Sequence, residues 1–97
     1  MALPKFLQPC FPSYNVKNLD RNLDRKLIIT EILNYGTERD LGWLTKTYSK
    51  KDLEQVLSKP EKGVWLKDVL AYWQKILGLK INRNDFQKAI LDIHPHF

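Results

Sequence analysis

The sequence has little of the chemistry on which most enzymes and metalloproteins depend. Cys10 is the single cysteine in 97 residues, so the chain cannot form an internal disulfide. His94 and His96 are the only histidines, and no cysteine near them completes a metal site. The four glycines are scattered and make no phosphate-binding loop. We therefore expect a protein that is not an enzyme, with no catalytic residue, no metal and no cofactor.

Long apolar runs are missing as well. No apolar stretch approaches the roughly 18–20 residues that a membrane-spanning helix needs. The opening MALPKFLQPCFP lacks the unbroken apolar centre and the small-residue cleavage site of a signal peptide. With the lone cysteine, these absences predict a cytoplasmic protein that does not enter a membrane.

The residues that are present are typical of one small globular domain. The composition is 43% hydrophobic, 11% aromatic and 28% charged, which supports one modest core. Sixteen Lys and Arg oppose eleven Asp and Glu, and the net charge is +5. A basic balance favours nucleic acid, an anionic membrane or an acidic protein as partner. Lysines outnumber arginines twelve to four, however, so a solvated lysine-rich surface explains the charge equally well.

The spacing of apolar residues predicts an all-α fold, a compact bundle of about five short helices. Helix 1 is expected to begin in the tandem repeat Asn-Leu-Asp-Arg, with Leu19, Leu23 and Leu27 on one face, and to stop at Gly36. No alternating strand pattern appears. The other four helices are expected at about residues 38–48, 50–58, 64–77 and 83–93.

The N-terminal residues 1–17 stand apart from this pattern. Pro4, Pro9 and Pro12 prevent a continuous helix there, yet the stretch is too apolar for a free tail. We expect an extended, Pro-rich arm over residues 1–17 that packs on a single helical domain at residues 18–97. An arm that docks on a partner instead is the alternative.

Helix-start signals give the firmest boundaries. Three segments place a side-chain acceptor three residues before a carboxylate, which is a variant of the capping box. The acid also suits the positive end of the helix dipole. The pairs are Thr37 with Asp40, Ser49 with Asp52, and Asn82 with Asp85.

The stretch GTERDLGWLTKTYSKKDLEQVL, residues 36–57, has the outline of a helix-turn-helix. Gly42 would be the small residue that lets the second helix approach. A shift of one residue gives the second helix better apolar anchors but places bulky Trp43 at the small position. A plain helical hairpin inside the bundle is therefore at least as good an interpretation. If the motif binds DNA, the candidate contacts are Lys50, Lys51, Gln55 and Lys59.

Several aromatic side chains could contact a protein partner, since aromatic residues are enriched at interface hot spots. Trp65 and Tyr72 lie away from the centre of the apolar stripe of helix 4, and the other candidates belong to the N-terminal arm. Burial between the arm and the body is the alternative. The candidate partner-binding residues are Phe6, Phe11, Tyr14, Trp65 and Tyr72.

Four stretches in order, LPKFLQPCF, LDRKLIITEILNYG, DLGWLTKTYSKKDLEQVL and LAYWQKILGL, resemble a small bacterial family of unknown function. Its members combine a Pro-rich start with a helix ending in IL..G, a WL helix and a late helix containing Trp. The resemblance covers most of residues 3 to 79. Members of that family often occur beside nucleotidyltransferase-like toxins of the abortive-infection type, which implies an antitoxin or a small co-encoded partner. The resemblance assigns no catalytic residue.

From this we expect a non-enzymatic binding protein, an antitoxin-like or regulatory partner that masks a surface of a co-encoded protein. A toxin is one candidate for that protein partner. The alternative is a helix-turn-helix regulator that binds DNA through the helix from about Lys50 to Ser58. The oligomeric state has no sequence signal.

Overall fold

A computed structural model describes residues 3–91, and this part of the chain is mostly helical. No strand occurs in it, since its one β-type contact is an isolated bridge between Trp65 and Ile90. The all-α prediction is confirmed at this level. The α-helices are α1 (Arg25–Tyr35), α2 (Glu38–Thr47), α3 (Lys50–Ser58), α4 (Lys67–Ile76) and α5 (Arg83–Ala89).

The N-terminal segment differs from the expected extended arm, because Lys5–Cys10 and Val16–Asn18 form short 3₁₀ helices. Pro4 precedes the first of these, where its fixed backbone angle suits a helix start. Gln8 then organises the chain between the two. Its amide donates to the carbonyls of Phe11 and Tyr14 over 3.0 and 2.7 Å, and its oxygen accepts from Val16 N–H over 3.1 Å. The segment buries Leu3, Leu7, Phe11 and Val16 in the common core.

The repeat Asn-Leu-Asp-Arg does not open α1 as predicted. Asp20 instead caps a single turn by accepting from the backbone N–H groups of Asn22 and Leu23 over 2.8 and 2.9 Å. Asp24 completes the turn by accepting from the Asp20 backbone N–H over 2.8 Å. Such local side-chain bonds compete with helix formation, so α1 starts only at Arg25. The predicted leucine face is wrong at Leu23, which is 88% exposed.

The first two capping pairs are confirmed as full capping boxes. Asp40 N–H donates to the Thr37 hydroxyl oxygen over 3.4 Å, and Thr37 N–H donates to the Asp40 carboxylate over 2.8 Å. Ser49 and Asp52 exchange the same two bonds over 3.1 and 2.9 Å. These reciprocal bonds satisfy N–H groups that a helix start otherwise leaves unpaired. At α5, Asn82 caps the helix by accepting from Asn84 N–H over 2.8 Å.

Helix α4 begins later, and α5 ends earlier, than the apolar pattern predicts. Residues 63–65 run beside the end of α5 and the residues that follow it, and Trp65 and Ile90 form an isolated parallel bridge. Gly63 and Trp65 donate to the carbonyls of Lys88 and Ala89 over 2.9 Å each, and Leu91 N–H donates to the Trp65 carbonyl over 2.8 Å. These bonds hold the chain out of helical geometry on both sides.

The core lies between α1 and the elements that surround it. Helix α1 contacts α2, α3, α4 and the first 3₁₀ helix. Trp65 is the largest fully buried side chain and joins the connection before α4 to this core. The α1 residues at the centre are Ile28, Ile29 and Ile32.

Two glycines should respond oppositely to replacement by Ala. A Cβ at Gly36 would lie 2.5 Å from the Ile32 carbonyl oxygen and 2.9 Å from Ile32 Cγ2, so Gly36→Ala should destabilise the fold by about 1–3 kcal/mol. Gly42 lies at an exposed position of α2, and a Cβ there meets nothing within 4 Å. Gly42→Ala should therefore stabilise the fold by about 0.5–1 kcal/mol. Urea unfolding of both variants measures the difference. Equal effects would contradict the close packing at Gly36.

Candidate functional site

The structure separates the five predicted partner-binding residues into buried and exposed ones. Phe11 and Trp65 are wholly buried, so a partner cannot touch them while the core is closed, and the expectation of a surface role is corrected for both. Phe6 is half-buried, and the Arg39 guanidinium lies 4.1 Å from the centre of its ring. Tyr14 and Tyr72 are exposed. The predicted set therefore does not form one surface.

Tyr72 belongs to an exposed apolar face on α4. Tyr72 and Ile76 are one helical turn apart and are 58% and 56% exposed. Trp73 lies beside them, and its ring meets the Tyr72 ring edge to face with centroids 5.4 Å apart. We call Tyr72, Trp73 and Ile76 the α4 apolar face. Tyr72 was predicted from the sequence, whereas Ile76 fits the spacing of the helical apolar stripe and gives no sequence signal of exposure.

The predicted DNA-contacting residues Lys50, Lys51, Gln55 and Lys59 are all exposed. On α3, however, part of this charge is offset. The Glu54 carboxylate lies 3.9 Å from Lys50 Nζ, and Arg25 pairs with Asp52 at 3.3 Å. Glu54 therefore offsets the charge of Lys50, whereas Asp52 is already paired with Arg25 of α1.

Gly42 does not play the part that a helix-turn-helix requires. The space where its Cβ would lie is empty, so no neighbouring element uses the missing side chain for a close approach. Trp43 is half-buried and packs edge to face against Tyr48, with ring centroids 6.1 Å apart. Helices α2 and α3 each pack on α1.

The Cys10 side chain has a structural role. It is buried, and its thiol donates to Asp40 Oδ2 over 3.0 Å. Burial, the bond to Asp40 and nearby negative charge raise the pKa of the Cys10 thiol to about 12. Burial alone would raise the pKa of Asp40, but hydrogen bonds from Thr37 and Cys10 outweigh it and lower that pKa. The pair thus fastens the N-terminal segment to the start of α2.

Within residues 3–91, no group of three or more Cys, His, Asp and Glu side chains is arranged to hold a metal ion. His94 and His96 lie outside the described residues. No helix in the described range has the length and apolar character to cross a membrane.

Comparison with known proteins gives one family assignment. The model of a family of unknown function, DUF6922, matches residues 6–57, from the first 3₁₀ helix through nearly all of α3. This chain is a DUF6922 protein. A search of curated proteins and a search of solved structures both returned no match. The DUF6922 match includes Cys10, Asp40 and both capping boxes, whereas the α4 apolar face lies beyond it.

Proposed function

We propose that this protein is a non-enzymatic binding protein that masks a surface of a protein partner through the α4 apolar face. The observation that carries the proposal is the exposure of Tyr72 and Ile76 on adjacent turns of one helix. Neighbouring apolar side chains that form a contiguous exposed patch are a feature of interaction sites. The Tyr72 ring already packs edge to face on Trp73, so Tyr72 loses little side-chain conformational freedom when a partner covers it.

The partner surface should have an apolar centre and an acidic margin. Lys75 is exposed on the same helix, and the chain carries a net charge of +5. Opposite charge around an apolar centre speeds encounter and selects the partner. We propose a co-encoded toxin as the partner because the sequence resembles a family whose members often occur beside toxin genes. The lone cysteine favours a reducing compartment such as the cytoplasm.

The placement of the reactive groups supports a role without catalysis. The Cys10 thiol is buried and bonded to Asp40, which makes it a poor nucleophile. Asp40 and Asp52 are engaged in capping α2 and α3. The partner would therefore be inhibited by stoichiometric coverage of a surface.

The test is co-expression with the product of the neighbouring gene, followed by calorimetric titration of the purified pair. Tyr72→Ala with Ile76→Ala should weaken binding by about 2 kcal/mol or more, or roughly thirtyfold, because exposed aromatic anchors dominate such contacts. The control is Tyr35→Ala, which removes an exposed tyrosine from α1. The control should bind as the parent protein does. No complex, or equal losses in both variants, would contradict the proposal.

A second candidate is DNA binding through α3. The observation that favours it is the simultaneous exposure of Lys50, Lys51, Gln55 and Lys59 on and just after one helix. Glu54 offsets the charge of Lys50 on the same helix and places a negative charge where phosphate would bind, which ranks DNA binding below the protein-binding role.

A further inference from the structure

A cleft on another part of the molecule collects lysines from three separate segments. Lys26 comes from α1, Lys59 and Lys62 from the α3–α4 connection, and Lys88 from α5. The cleft has a volume of about 400 Å³. Two carboxylates, Glu61 and Asp85, also line it, so four positive charges face two negative ones.

The backbone around this cleft is held in place. Gly63 N–H donates to the Lys88 carbonyl over 2.9 Å, which ties the connection to α5. Pro60, in the wall of the cleft, is buried. A cleft of this kind presents its lysines without first having to order the loop that carries them.

A second pocket of about 350 Å³ adjoins the first and shares Lys26 and Glu61 with it. Its wall contains the exposed ring of Tyr14 and the apolar side chains of Leu27 and Val64. The Lys26 and Glu61 head groups lie 3.6 Å apart and are about half exposed, so they form a movable boundary between the two pockets.

Thr30 and Glu31 of α1 add polar residues to the wall of the second pocket. The Thr30 hydroxyl is buried and has no hydrogen-bond partner in the described part of the chain. An unpaired buried hydroxyl is unusual in a folded protein. Burial raises the pKa of Glu31 in the same wall.

We propose that the two adjoining pockets bind one nucleotide unit. Its phosphates would lie among Lys59, Lys62 and Lys88. Its base would stack on Tyr14. Lysine ammonium groups bind phosphate as point charges, and aromatic rings stack on any base. The site shares no residue with the α4 apolar face, so the inference does not rest on the proposed function.

Calorimetric titration with ATP tests this site, with inorganic tripolyphosphate as the probe that lacks a base. Lys62→Ala with Lys88→Ala should weaken ATP binding by about tenfold or more, since two charge-assisted contacts are lost. The matched control is Lys50→Ala with Lys51→Ala, which removes the same charge from α3. Salt screens that distant change, so it should weaken binding by about threefold or less.

Tyr14→Ala isolates the base-binding half, because Tyr14 is exposed and its loss leaves the lysines in place. This variant should lose about tenfold in affinity for ATP and keep its affinity for tripolyphosphate. Equal binding of ATP and tripolyphosphate by the parent protein would overturn the proposal. So would the absence of binding at millimolar ATP.

A short thymidine oligonucleotide distinguishes the two sources of a nucleotide unit. Tighter binding than ATP, lost in the Lys62→Ala, Lys88→Ala variant, supports the site and assigns it to a nucleic-acid strand. Binding of ATP without binding of the oligonucleotide supports the site and assigns it to a free nucleotide. Loss only in the Lys50→Ala, Lys51→Ala control would overturn the proposal and favour DNA binding by α3.

Discussion

Replacement of Trp65 by Ala should cost about 3–5 kcal/mol of unfolding free energy. The Trp65 side chain is 0% exposed and is the largest group in the core, so its removal leaves a cavity that the surrounding helices cannot fill. A domain of this size has a total stability of about 5–15 kcal/mol, so much of it would be lost. Urea unfolding followed by circular dichroism at the helical band measures the change, since Trp43 and Trp73 complicate fluorescence.

The matched variant is Trp65→Phe. It keeps an aromatic ring in the core and removes the indole N–H, which is buried without a hydrogen-bond partner in the described residues. Loss of an unsatisfied polar atom offsets part of the lost packing, so Trp65→Phe should cost less than half as much as Trp65→Ala. A cost below about 1 kcal/mol for Trp65→Ala would show that the core repacks, which is contrary to the burial.

The role of Trp65 also shows where sequence reasoning stops. The residue was predicted to lie at the start of helix 4 with its ring free for a partner. Its burial depends on a bridge to Ile90, which is far along the chain, and on the turn at Gly63, whose φ is +73°. Gly63 marks a turn two residues before Trp65, but the bridge to Ile90 leaves no local pattern near Trp65. The helix starts at Thr37 and Ser49 could be predicted because both capping partners lie within four residues.

The candidate sites also differ in how far each could be predicted from the sequence. Exposure of Tyr72 follows from helical periodicity, so the sequence located one of the three residues of the α4 apolar face. The lysine cleft could not be predicted, because it brings together residues from α1, a connection and α5 that share no motif. Leu23 was assigned to the core by spacing alone, whereas the Asp20 side chain ends the helical pattern there. Local polar bonds can override a convincing apolar period.

Replacement of Asn34 by Ala should cost about 2–4 kcal/mol of unfolding free energy. The side chain is nearly buried in α1 and reaches the segment on both sides of Trp65. Its amide donates to the Val64 carbonyl over 3.2 Å, and its oxygen accepts from Leu66 N–H over 3.0 Å. Leu66 is the N-cap residue of α4, and its side chain makes no capping hydrogen bond. The Asn34 side chain instead accepts from the Leu66 backbone N–H at this helix start.

Amide hydrogen exchange distinguishes this role from simple loss of packing. Asn34→Ala should speed exchange at Leu66 and at Leu91, whose N–H donates to Trp65, more than at the α3 amides. The control is Asn84→Ala on the exposed surface of α5, which should change stability by less than about 0.5 kcal/mol. Unchanged protection of Leu66 in Asn34→Ala would show that the segment around Trp65 is held by its pairing with residues 88–91 alone. Asn34 would then add packing but no essential hydrogen bond.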